Sequence, residues 1–337
     1  MSPKITVLMA VFNGEKFIKE AVDSILSQSF TDFEFIVIND ASTDLTVPII
    51  ESYKDPRITL IHNKKNSGLP ASLNTGLDLA KGTYIARMDG DDIALPERLR
   101  KQFKLMEINE NINICGSWIE AFGDENRIIT LPEKDEDIRT GLLFVNCLAH
   151  PSIMMRKGVL DKNGLRYDSS LTSSIDYDLW ARAIDKCMFY NVQEVLLKYR
   201  VHSNQISVDK QKEQLFNSMK VKKDLLERIG ITPTEEELEL HYLIGEGLFK
   251  PENVEEIENA SKWFNVLERS MNISEKHPCY KEITARHLLT YYNNNADKGL
   301  PAAISFLRKF MFRSDVDMIN KLRYLQKVFY SSYFKKI

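Results

Sequence analysis

Three carboxylates, Asp89, Asp91 and Asp92, stand within four residues directly after the apolar run that ends at Met88. Crowded in this way they repel one another, so a cation or a group of donors must neutralise them. A hard divalent ion, Mn2+ or Mg2+, prefers carboxylate oxygens and phosphates. Asp89 and Asp91 are two apart in a turning backbone and can reach one ligand. The competing reading is a solvated turn, with Asp92 starting the next helix. A calcium loop of EF-hand type does not fit, because Ile93 takes the third ligand position and no glutamate follows at the required spacing. Elsewhere, Asp40 can accept the imide hydrogen of a base such as uracil. Asp176 is a general-base candidate that competes with a plain helix N-cap. His150 and His202 are weaker candidates, since a lone histidine is more often structural than a ligand.

The elements that must position these groups alternate. Ile5 to Val11, Phe33 to Ile38, Ile58 to His62 and Thr83 to Met88 read as strands covered on both faces. Between them, Phe17, Ile18, Ala21, Val22, Ile25 and Leu26 form one helical stripe. Ser42 or Thr43 can cap a helix through Tyr53, and Pro70 to Ala80 reads as helix, with Gly82 in its C-cap region. This rhythm predicts an α/β fold with a mostly parallel sheet and helices on both faces. Ligands in such sheets bind beyond the carboxyl ends of the strands. Asn13, Asn39-Asp40 and Asp89-Gly90-Asp91-Asp92 all fall there. Further on, Pro96 opens a helix. Ile112 to Phe122, His150 to Met155 and Val192 to Arg200 read as strands, and Asp176 to Cys187 as a helix.

Composition narrows the function classes. The 337 residues carry a formal net charge of −3, which argues against a general nucleic-acid binder. The four cysteines, Cys115, Cys147, Cys187 and Cys279, form no CxxC pair and no zinc-finger spacing with histidine, and read as reduced thiols of a cytoplasmic protein. No signal peptide is expected from Met1 to Val7. No window reaches the ~18 consecutive apolar residues of a membrane span. Neither GxGxxG nor GxxxxGK[ST] is present, so dinucleotide and P-loop sites are disfavoured.

Several segments, in order, resemble the family 2 inverting glycosyltransferases: Val7–Glu15, Ser24–Phe30, Val37–Asp44, Asn66-Ser67-Gly68 with Leu73–Gly76, Ala86–Asp92 as a DxD motif, His150-Pro151-Ser152, Asp176–Trp180 and Tyr199–His202. The resemblance spans about residues 4 to 208 and implies a GT-A fold. It implies that residues 1–208 form the transferase domain, with nucleotide-sugar binding in 1–100 and the acceptor half in 101–208. It places Ala10, Phe12, Asn13, Glu15, Asp40, Gly68, Asn74, Arg87, Asp89 and Gly90 on the donor side, a UDP-sugar being the default donor. Asp91, with Asp89 and His202, would hold the metal. Asp176 would be the base for a glycan or lipid-linked acceptor. Ile175 departs from the family, which often has Glu there, and Asp178 is the second choice for the base. A sugar nucleotidyltransferase would need a Gly-rich, basic loop where Phe12–Glu15 stands. A non-catalytic binding module would not need both the DxD and Asp176.

Residues 209–337 read as a separate helical region, punctuated by Pro233, Pro251, Pro278 and Pro301. Pro301 to Ile337 interleaves lysines and arginines with Phe and Tyr. It is expected to be a helical cap, a peripheral membrane contact on an anionic surface, or a homodimer surface.

Overall fold

The computed structural model describes residues 2–202, 211–249 and 254–270. The chain begins with β1 (Ile5–Val11), α1 (Ile18–Leu26), β2 (Phe33–Asn39), α2 (Thr46–Ser52), β3 (Ile58–His62), α3 (Leu69–Leu79) and β4 (Tyr84–Met88). There follow β5 (Ile93–Ala94), α4 (Arg98–Ile108), β6 (Ile112–Gly123), β7 (Arg127–Ile129) and α5 (Asp135–Leu142). A 3-10 turn (His150–Ser152) leads to β8 (Met154–Arg156), α6 (Lys157–Lys162), α7 (Ile175–Ala183) and β9 (Met188–Val201). Beyond these lie α8 (Gln211–Arg228), α9 (Glu235–Gly245) and α10 (Val254–Ser270).

The strands form one mixed sheet in the order β3-β2-β1-β4-β8-β6-β9-β5, with β7 on β6. β1, β2, β3 and β4 pair in parallel, as do β6 and β9. β8 is antiparallel to both β4 and β6 and joins the two halves. β1 and β4 are apolar on both faces because helices cover both: Val7, Met9, Ala86 and Met88 are buried with Ile18, Val22 and Ile25 of α1, while Leu8 packs against Gly76 of α3.

Local readings needed correction at three places. Ser42 and Thr43 do not cap α2; they bind Asn13 across the neighbouring loop. The N-cap is Leu45, and Asp44 just before it accepts from the Thr46 N–H (3.0 Å) and hydroxyl (2.5 Å). His150-Pro151-Ser152 is a turn rather than strand, since Pro151 has no ladder donor and the Ser152 hydroxyl turns back to Ala149 O. Gly82 is not a helix cap. α3 ends at Ala80, and Gly82 lets the chain pass against β1, where an added Cβ would stand 2.4 Å from Thr6 N.

By contacts the chain falls into two units. Residues 1–139 and 146–218 form the first; Thr140–Val145 with the chain from Met219 form the second. The second is helical among its described residues. Phe144, Trp263 and Phe264 are buried there with His241, whose Nε2 donates to Leu143 O while Trp263 donates to its Nδ1. The basic-aromatic stretch Pro301–Ile337 and Cys279 lie outside the described residues. Cys115, Cys147 and Cys187 are buried free thiols, and no described helix is long and apolar enough to cross a membrane.

Gly82→Ala presses a methyl group into the β1 backbone, which cannot move aside as a side-chain tip would. We expect a loss of about 2 kcal/mol, read by urea denaturation with an unchanged m-value.

Candidate active site

The acidic cluster sits where β4 leaves the sheet. One oxygen from each of Asp89, Asp91 and Asp92 lies within 4.8 Å of the others. Three arginines offset them. Arg87, nearly buried, ion-pairs with Asp89. Arg200 of β9 donates its backbone N–H to Asp92 Oδ1 (2.8 Å) and its Nε to the carbonyl of Asp91 (2.8 Å). Arg98 of α4 is fully buried; it donates to the Arg87 carbonyl at 2.6 Å from beneath the strand. Burial holds the Arg98 pKa down to about 9, with the Arg87 charge adding to the effect.

Asp92 is no surface turn residue and caps no helix. It is 0% exposed, its Oδ2 has no partner, and α4 starts six residues later. Burial, and then the charges of Asp89 and Asp91, push its pKa well up. Asp91 faces His202, Nε2 to Oδ2, at 3.0 Å. The His202 ring stands 5.0 Å from that of Phe17. Arg200 is held between the rings of Phe17 (4.3 Å) and Phe122 (4.5 Å) and also binds Glu20.

Asp176 lies in the first turn of α7, two residues past its N-cap. That N-cap is Ser174, in left-handed conformation with no side-chain cap bond, so Asp176 is not the capping residue. Asn146 donates to Asp176 Oδ2 at 2.7 Å. Burial raises the Asp176 pKa, against the hydrogen bonds from the Tyr177 N–H and Asn146 and the Arg87 charge. Asp89 feels the Asp176 charge and Asp176 feels that of Arg87. The base candidate and the acidic cluster therefore share one polar site around Arg87. Asp178 points to Arg182 of its own helix (2.6 Å). Ile175 is buried, so the position where the family often has Glu is spent on packing, and Asn146 orients the carboxylate instead.

The donor-side residues fall into two groups. Ala10 and Phe12 lie at the carboxyl end of β1, where Phe12 is 49% exposed. Asn13 and Glu15 tie two loops together: Asn13 Oδ1 accepts the Thr43 N–H, and Glu15 accepts that of Leu45 while its own N–H binds Asp44. Asp40 is buried and organises the loop before α3, accepting from Asn63 (2.7 Å), Ser67 N (2.9 Å) and Gly68 N (2.9 Å). Gly68 has φ +85°, which a side chain would oppose. Gly90 packs against Val11, where a Cβ would stand 3.2 Å from the valine methyl. The Asn74 side chain is engaged by both the N–H (2.9 Å) and the carbonyl (2.8 Å) of Tyr167.

Sequence reasoning missed Asn146, Tyr167, Arg98 and Asn63. None of the four carried a signal of its own: Arg98 stands among Arg100 and Lys101 in a helix start that reads as solvated. Backbone strain marks the site as well. Among the described residues, the non-glycine positions with positive φ are Asn13 (52°), Ala41 (63°) and Ser174 (55°). They flank β1, Asp40 and Asp176, and such outliers gather where a site must be held.

A mixed sheet of this order, with an acidic cluster beyond β4 and a carboxylate on the helix opposite, defines a GT-A glycosyltransferase. The Glycosyl transferase family 2 profile matches residues 6–164. An uncharacterized glycosyltransferase of Methanocaldococcus jannaschii is 40% identical over 222 residues, 63% of this chain and 76% of its own. The Escherichia coli UDP-Glc:alpha-D-GlcNAc-diphosphoundecaprenol beta-1,3-glucosyltransferase WfaP is 30% identical over 73% of this chain and 94% of its own. Residues 1–349 of S. aureus TarS, solved with UDP-GlcNAc, share the fold with a TM-score of 0.60 and 18% identity over 98% of this chain and 93% of that one. The chain belongs to the family 2 glycosyltransferases.

Ala41 has no side-chain hydrogen bond to repay its left-handed backbone. Ala41→Gly should therefore raise stability by up to about 1 kcal/mol, measured by urea denaturation.

Proposed function

We propose that the chain is an inverting transferase that moves a sugar from a nucleoside diphosphate, UDP first, to a hydroxyl of a glycan or lipid-linked saccharide, with Asp176 as general base. The observation that carries the reading is the shared environment of Asp89, Asp91 and Asp176 around Arg87, at the carboxyl ends of parallel strands. The names of two similar proteins support the donor and acceptor: WfaP uses UDP-Glc and a diphosphoundecaprenol-linked sugar, and TarS was crystallised with UDP-GlcNAc. A lipid-linked acceptor would bring the chain to the inner face of the cell membrane as a peripheral protein.

In this reading the exposed Phe12 ring and the Ala10 backbone border the base. Asp40 has three of about four acceptor positions filled by Asn63, Ser67 and Gly68, and keeps one for an imide N–H. Its larger task is to hold the loop that closes the base pocket. Asn13 and Glu15 act by joining that pocket's two loops.

The residues present suit a divalent cation. The donors are hard carboxylate oxygens and one imidazole, and the buried Asp92 Oδ2 lacks a partner. Asp91 and His202, with Asp89, would hold Mn2+ or Mg2+. Such an ion supplies Lewis-acid stabilisation of the charge on a departing diphosphate. The chain's own part in the chemistry is at the acceptor. Asp176 must be ionised to take the hydroxyl proton, and Asn146 turns its carboxylate toward that proton. One displacement opposite the leaving group inverts the anomeric centre.

Asp91→Ala should abolish the Mn2+-dependent part of nucleotide-sugar affinity in calorimetry; equal affinity with and without the substitution in Mn2+ contradicts the metal assignment. Asp176→Asn should keep donor affinity while transfer falls by about 10²- to 10⁴-fold. Because the Asp176 pKa is raised and the ionised form is the base, kcat/KM should fall with decreasing pH through a midpoint above the ordinary carboxylate range. A profile still flat at pH 4 would remove Asp176 from the role.

A further inference from the structure

We propose that His150 contacts the transferred sugar, hydrogen-bonding one of its hydroxyls and so selecting among sugars, with Tyr167 as the residue that positions it. The proposal rests on the reading of the chain as a nucleotide-sugar transferase.

Two aromatic side chains fix the imidazole. Its ring lies edge-on to Trp180 (6.2 Å) and 5.4 Å from the ring of Tyr167. Trp180 and Asp176 are four apart on α7 and so share a face, which turns that face of the helix toward His150. Its Nε2 meets the Tyr167 hydroxyl at 2.8 Å. Tyr167 is held through its backbone by Asn74 on both sides. The turn carrying His150 is anchored as well: Ser152 binds Ala149 O, and Gln102 reaches up to Ser152 O at 2.8 Å.

Location and chemistry then point to the sugar. Tyr167 feels the charges of both Asp89 and Asp176, so the pair lies in the span from the donor carboxylates to the base. That span is where a sugar must sit, between its diphosphate and the attacking hydroxyl. Tyr167 is buried, whereas His150 is only partly so; the histidine is the member of the pair with surface left for a ligand. With Nε2 engaged by Tyr167, Nδ1 has no hydrogen-bond partner among the described residues. Burial and the nearby Arg87 charge hold its pKa well down, so the ring is neutral at physiological pH. A neutral ring suits a sugar hydroxyl, which both donates and accepts. It suits the diphosphate less well, since an anion is better met by a cation.

The test compares nucleotide sugars with the nucleotide alone. Native chain, His150→Ala and Tyr167→Phe are titrated in Mn2+ with UDP-, GDP- and dTDP-hexoses and with the matching free diphosphates. For the tightest donor, His150→Ala should lose about tenfold in nucleotide-sugar affinity, the worth of one hydrogen bond at the upper end of its range, and keep its affinity for the free diphosphate. It should also narrow the preference between epimeric sugars. Tyr167→Phe should give a smaller loss of the same kind, and thermal melts identify any variant that has unfolded. An unchanged ratio of sugar-nucleotide to nucleotide affinity in both variants, or equal losses of both, overturns the role of His150. Failure of the native chain to bind any member of the panel overturns the transferase reading itself, and is a separate result.

Discussion

Like charges packed at the end of a buried strand set the terms for everything around them. At about 4 Å and an effective dielectric near 20, two unit charges interact by roughly 4 kcal/mol, so Asp89, Asp91 and Asp92 together oppose folding unless positive charge is fixed nearby. Arg87 supplies it in the same strand and pairs with Asp89. Arg200 supplies it from β9, binding Asp92 and Asp91 through the backbone and side chain. Arg98 supplies it from beneath, where its guanidinium meets carbonyls and a thioether rather than a carboxylate. Burying that third cation without a contacting anion is costly, and the cost makes sense only in the field of the acids in front of it.

Those compensating charges decide much of the fold's second half. The cluster is completed by residues far along the chain: His202 meets Asp91 across 111 residues and Arg200 meets Asp92 across 108. Docking of β9 beside β6 and its pairing with the two-residue β5 are what bring these distant partners to the acidic turn. The same docking places Phe122 and Phe17 on either side of Arg200, which excludes water and strengthens each charge interaction.

How much of this was legible in the sequence follows from how local each signal is. The parallel β1–β4 core was readable because helices cover both faces and leave continuous apolar runs. The acidic turn was readable for the same reason in reverse: carboxylates crowded directly after such a run call for a neutralising partner, although the full burial of Asp92 was not foreseen. The cap of α2 was misread because Ser42 and Thr43, ordinary capping residues by type, are claimed by Asn13 from another loop. His150–Ser152 was misread as strand because its apolar neighbours hid a turn that Pro151 enforces. Asn146, Tyr167 and Asn63, like Arg98, carried no signal at all. Each is an unremarkable polar residue whose meaning comes from a partner 30, 17 or 23 positions away.

The residues that looked like ligand contacts divide, on inspection of their bonds, into contacts and braces. Asn13, Glu15, Asn74 and most of Asp40 are occupied with backbone groups of neighbouring loops. A brace of this kind raises affinity without touching the ligand, because a loop held in its bound shape loses less entropy on binding. It also explains why strain is tolerated at Asn13, Ala41 and Ser174: each left-handed residue is flanked by a segment tied down on both sides. In the proposed reading the polar groups left to meet a donor and an acceptor are few: Asp89, Asp91 and His202 at one end, Asp176 at the other. In that reading a small set of half-buried groups is held by a larger set of occupied ones, so a change at a single side chain such as His150 alters specificity while the scaffold of braces stays as it is.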